Sequence, residues 1–167
     1  MEGAWILADS YRCFYRATTS YEGKMSVTEM RYTFQKPWRI RMDISKPRKG
    51  AVLIYNPDLS PKVRVRPFPS MNFMVMNYDL TDKKVSSDSG GTIDQSHLGE
   101  RIERWCKGYR DSFERSAGSE TMTWIENGSV YKLTLSPQTR LPVKLEITGG
   151  NAKRSELFEW SEMEINP

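Results

Sequence analysis

Asp94, Ser96 and His97 place an acid, a hydroxyl and the chain's single imidazole within one four-residue stretch. These are the parts of a nucleophilic hydrolase, but triad members normally come from separate loops that the fold brings together. Just ahead of a helical stripe, Asp and Ser more simply cap the unpaired N–H groups of a helix start, and that is the expected role here. No P-loop, GxGxxG, HExxH or GxSxG pattern occurs, so no enzymatic step and no cofactor are expected. Cys13 and Cys106 form no CxxC, and His97 is not spaced to join them, so no metal site is expected. The two cysteines are read as separate buried thiols acting as small hydrophobes, with one long-loop disulfide in an oxidising compartment as the alternative.

Charge is more informative than catalytic spacing. Lys36, Arg39, Arg41, Lys46, Arg48, Lys49, Lys62, Arg64 and Arg66 are opposed in their window only by Asp43 and Asp58, giving +7 there. The whole chain carries +4, so the remainder is −3. Alternation places Arg39, Arg41, Arg64 and Arg66 on sheet faces opposite the apolar side. They could meet an anionic partner, such as lipid head groups or an acidic protein patch. They could equally be solvated cations protecting a sheet.

Period two dominates the elements that must carry these residues. Tyr11, Cys13, Tyr15 and Ala17 alternate with more polar positions, as do Met30, Tyr32 and Phe34, and then Trp38, Ile40, Met42 and Ile44. Ala51–Tyr55 is a short apolar strand, Val63 and Val65 belong to another, and residues 73–78 read as a strand or an apolar loop. Residues 4–9 suggest a helix stub, 46–50 a turn, and 86–91 a flexible break. Leu98, Ile102, Trp105, Cys106, Tyr109 and Phe113 fall on one stripe at helical spacing, with Thr92 and Gln95 as a capping box. Gly99 and Gly108 weaken that helix. The C-terminal part is a meander with an Asn127-Gly128 hairpin turn, another turn at residues 149–151, and an apolar parity shift after Trp160 that implies a bulge.

The expected fold is mainly β with a helical lid (α+β). It is a single domain over residues 1–167, with one curved antiparallel sheet of about nine strands and one main helix over the concave face. Nine methionines and five tryptophans are many for 167 residues. The face they define is either ordinary core or an apolar cavity for an acyl chain or apolar peptide. The pI near 9.1 is too mild to imply nucleic acid, and none is expected as a partner. No apolar run reaches bilayer-spanning length. Residues 1–8 lack a basic region and break at Asp9, so they do not read as a signal peptide. The chain is read as cytoplasmic or as the mature form of an exported protein.

Several stretches in order resemble a known family. Tyr21-Glu22-Gly23-Lys24 followed by residues 30–43, the apolar strand ending in Tyr55-Asn56-Pro57, the late hairpin over residues 133–144, and Phe158-Glu159-Trp160 to Asn166 are similar to outer-membrane lipoprotein-sorting proteins of the LolA/LolB-like type. The resemblance spans roughly residues 11–166. It implies a half-open β-barrel with a helical lid over a hydrophobic cavity, in a periplasmic, non-enzymatic carrier whose signal peptide has been removed. It implies that Met30, Tyr32, Phe34, Trp38, Ile40, Met42 and Trp124 line the cavity, and that Leu98, Ile102 and Trp105 close it. It also implies that Arg39 or Arg41 hydrogen-bonds the lid. The implied cargo is lipoprotein acyl chains or another envelope lipid, exchanged with inner- or outer-membrane transport partners; the sequence leaves the oligomeric state open, with a monomer favoured.

Overall fold

A computed structural model of the chain describes residues 1–70, 73–86, 91–109, 114–115, 120–149 and 154–167. The chain begins with a short helix, α1 (Glu2–Ile6), and a run of six strands: β1 (Ser10–Tyr21), β2 (Lys24–Gln35), β3 (Arg39–Lys46), β4 (Val52–Asn56), β5 (Ser60–Arg66) and β6 (Met76–Tyr78). A single 3-10 turn at Ile93–Gln95 leads into the main helix, α2 (Leu98–Tyr109). Five strands follow: β7 (Glu114–Arg115), β8 (Thr121–Glu126), β9 (Ser129–Leu135), β10 (Pro142–Gly149) and β11 (Arg154–Ile165).

All eleven strands form one sheet in the order β6-β5-β4-β3-β2-β1-β11-β10-β9-β8-β7. It is two meanders joined at their centre. The first and last strands pair antiparallel from Tyr11↔Ile165 to Tyr21↔Arg154. Among the described residues the outermost strands β6 and β7 do not pair with each other, so the curved sheet is an open half-barrel. Both chain ends lie mid-sheet, and the segment carrying α2 crosses from one edge to the other.

Side-chain alternation sets the two faces. In β2, Met30, Tyr32 and Phe34 are buried while Arg31 and Gln35 are exposed; in β3, Ile40 and Met42 are buried while Arg39 and Arg41 are exposed. One face therefore carries the core and the other meets water, as an antiparallel sheet permits. The expected bulge occurs in β11, where Arg12 faces Glu164 but Phe14 faces Ser161. Glu162 there adopts φ 50°, the left-handed conformation that lets one extra residue fit. Asn127 and Gly128, at φ 49° and 76°, make the β8–β9 hairpin turn with positive φ at both central positions.

Three expectations change. Thr92 supplies no side-chain cap, because the 3-10 turn intervenes and α2 starts only at Leu98. Strand β7 lies beyond α2, where the helical stripe had been extended to Phe113; Phe113 itself lies outside the described residues, as do residues 87–90 and 150–153. Of the stretch 73–78, only Met76–Tyr78 is strand.

Candidate functional site: the concave face and its helical lid

The concave face is built mainly from β2, β3, β1 and β11, with β8 to β10 on the far side. Met30, Tyr32, Phe34, Ile40, Met42 and Trp124 all project into one buried cluster. Leu98, Ile102 and Trp105, at helical spacing on α2, enter the same cluster from above. Nine of the ten residues expected on this face thus come together. Trp38 does not. Pro37 and Trp38 form the turn into β3, which begins at Arg39, so the indole leaves the strand's alternation and is 51% exposed.

Ring contacts trace the course of α2 across the strands. At its start, His97 stacks on Phe34 of β2, with centroids 4.5 Å apart. One turn later the Arg101 guanidinium lies over Phe158 and Trp160 of β11, at 5.3 and 5.9 Å. One further turn on, Trp105 packs against Trp124 of β8 at 6.1 Å. Ahead of the helix, Val85 and Ile93 bury themselves in the same cluster.

The helix start is tied to the sheet by a few polar contacts. The Leu98 N–H donates to the Tyr11 hydroxyl at 3.1 Å, and the Glu100 N–H donates to His97 Nδ1 at 3.3 Å. Ser96 Oγ donates to the Ile93 carbonyl at 2.5 Å, which leaves Tyr32 to donate to Ser96 at 2.8 Å. Ser96 therefore spends its hydroxyl on backbone and on the sheet tyrosine, and His97 spends Nδ1 on backbone while its buried Nε2 has no hydrogen-bond partner among the described residues. Burial pushes the Tyr11 and Tyr32 hydroxyls well above their ordinary range. It lowers His97 to about 4, against the opposing pull of Asp94 and Glu103. Cys13 and Cys106 are buried thiols with no disulfide between them, and burial raises Cys13 to about 12, which makes it unreactive while covered.

A second contact holds the lid from outside. Trp5 of α1 packs flat against Gly99, where a Cβ would collide with its indole. The ring also meets His97 and Phe34, at 6.0 and 5.5 Å. Lys36 sits over the same ring at 5.2 Å and donates to the Trp5 and Ile6 carbonyls, both at 3.1 Å. Sequence reasoning did not find this latch. The signal was a glycine inside an amphipathic helix, which reads as a weakness until its neighbour is known.

The four arginines expected on the outer face divide. Arg39 binds Asp58 through both Nε and Nη2, at 2.9 and 2.6 Å, and Arg41 grips Asp43 at 2.7 Å through both contacts. Among the described residues neither bonds to α2, so the expected hydrogen bond from Arg39 or Arg41 to the lid is not seen there; both side chains are exposed on the face opposite the buried Ile40 and Met42. Arg64 is exposed on β5 and Arg66, at its end, is half-buried. An open groove of about 510 Å³ lies on the outer side of α2, lined by Glu100, Glu103, Arg104, Lys107 and Gly108.

No protein-family model and no curated protein matches the chain. Among solved structures it is similar to a DUF1329 family protein from Desulfovibrio piger (TM-score 0.49, 10% identity, covering 96% of this chain and 87% of that one). It is also similar to a LolA superfamily protein from Nitrosomonas europaea (0.46, 10%, 96% and 88%) and to the lipoprotein LppX of Mycobacterium tuberculosis (0.42, 12%, 99% and 91%).

Proposed function

We propose that this protein is a non-enzymatic carrier that shelters acyl chains between the concave sheet face and α2. The observation that carries the reading is an amphipathic helix laid across a face of methionine and aromatic side chains, held mainly by apolar contacts. Lifting α2 exposes Leu98, Ile102 and Trp105, at roughly 2 kcal/mol for each large apolar side chain. An acyl chain of about sixteen carbons entering beneath it returns roughly 12 kcal/mol at about 0.8 kcal/mol per CH₂. For an acyl chain taken from water, exchange of helix for lipid is therefore favourable without any chemical step. Methionines suit such a face because their unbranched side chains adapt to varied apolar shapes.

The same reading places the protein in the periplasm, carrying lipoprotein acyl chains or another envelope lipid between membrane partners as a monomer. The rival, docking of an anionic partner by the outer sheet face, is weakened because Asp58 and Asp43 already neutralise two of its four arginines. The test is titration of delipidated protein with cis-parinaric acid, a fluorescent acyl chain. Saturable uptake with a rise in fluorescence is expected; no uptake at probe concentrations up to the solubility limit overturns the proposal.

A further inference from the structure

The end of the sheet where β3 leads into β4, and β5 into β6, combines two features that the lid and its face do not use. The β3–β4 turn is Pro47-Arg48-Lys49-Gly50, with Arg48 and Lys49 exposed and forming no ion pair among the described residues. The β5–β6 connection carries Phe68 (53% exposed), Phe73 (85% exposed), and the further exposed Met74 and Val75. The two segments touch: a Cβ on Gly50, which holds φ +85°, would lie 2.7 Å from the Pro69 ring. Between residues 44 and 78 the sole acid is Asp58, which sits in the β4–β5 turn at the opposite end of the strands.

We propose that this end of the sheet docks on an anionic lipid surface, with Phe68 and Phe73 entering the bilayer interface and Arg48 and Lys49 meeting the phosphate layer. Apolar side chains at loop tips with cations beside them match the layering of a bilayer, with hydrocarbon beneath charged head groups. Pro47, Pro67 and Pro69 restrict the two segments in advance, so little order must be imposed on contact. Each cation brought to an anionic surface contributes about 1 kcal/mol, and the attraction fades within a Debye length. This docking does not depend on the carrier reading: a protein that takes up no acyl chain can still bind vesicles here, and the converse also holds.

The test is co-sedimentation of the full chain with vesicles of phosphatidylcholine containing about 30% phosphatidylglycerol, at low and high salt. Wild type should bind these vesicles and lose most binding when salt is raised or phosphatidylglycerol is omitted. The double variant Arg48→Gln/Lys49→Gln should bind about 30-fold more weakly, from the loss of two cations. The double variant Phe68→Ser/Phe73→Ser should be weakened at either salt. Leu59→Ser, at a 76%-exposed position at the other end of the sheet, should bind like wild type. The altered positions are exposed, and an unchanged circular dichroism spectrum checks the fold. Wild-type binding by both double variants overturns the proposal, as does equal weakening by Leu59→Ser. Binding to single-stranded DNA without binding to vesicles overturns the lipid assignment.

Discussion

His97 shows how one side chain can tie stability to pH. It is only 6% exposed, its Nδ1 caps the α2 start, and its ring contacts both Phe34 and Trp5, which also touch each other. Its folded-state value of about 4 lies below the ordinary 6.5, so the unfolded chain binds the proton more readily between those limits. Stability is therefore fully present above pH 6.5 and is lost as pH falls from there toward 4, by about 3 kcal/mol at most. Urea unfolding across that range should show this slope. His97→Asn, which keeps a capping acceptor without a titrating ring, should flatten it. The two helix glycines should part company. Gly108 has open space at its Cβ position, so Gly108→Ala should raise stability by about 1 kcal/mol through helix propensity alone. Gly99→Ala gains the same propensity but drives out the Trp5 indole, and should lower the urea midpoint.

At the scale of elements, α1 matters more than its five residues suggest. It holds no buried residue, yet Trp5 fills the space above Gly99 and Lys36 binds the carbonyls that end the helix. It is a clasp on α2. Trp5→Ala should therefore loosen the lid without altering the sheet. Cys13 under the lid and Cys106 on it report this directly, since both are buried while α2 is seated. Labelling by a thiol reagent should be faster in Trp5→Ala than in wild type. An unchanged labelling rate would show that the α2 stripe alone holds the lid. Several elements were legible in the sequence for a local reason. The alternation in β2 and β3 and the stripe on α2 are burial patterns of period 2 and 3.6, and they place Met30, Tyr32, Phe34, Ile40, Met42, Leu98, Ile102 and Trp105 among the buried residues. Trp38 escaped because alternation holds only inside a strand, and one turn residue breaks it. The Tyr11 cap of α2 escaped because Tyr11 lies 87 residues from Leu98 in sequence.

For the molecule as a whole, the decisive junction is between β1 and β11. It joins two meanders that would otherwise each expose an edge, and it lets α2 rest on strands from both. Arg12–Glu164 and Arg31–Glu162 cross this central part of the sheet at 2.6 and 3.4 Å, but exposed pairs of this kind add little. Backbone pairing and the burial of Trp160 beneath Arg101 carry the junction. Removing residues 154–167 should therefore abolish the cooperative unfolding transition, with loss of strand signal in circular dichroism, rather than merely lower its midpoint. A shortened chain that still unfolds cooperatively would mean that the first meander and α2 form a stable unit without β11.

What the sequence determined by itself was local: which residues alternate, where chains of period two stop, which stripe of a helix is apolar, and that a bulge must follow Trp160. Those follow from backbone geometry and from the need to hide apolar side chains, and both act over a few residues. The tertiary structure alone decided which strands became neighbours. Strand order brought Asp58 to Arg39 and so neutralised part of a face that looks strongly basic in the linear chain. It also set Trp5 against Gly99, and placed the Arg48-Lys49 turn beside the Phe68 loop. Pairings across tens of residues depend on closing loops and on the summed burial of whole faces, and no short stretch of sequence carries that sum.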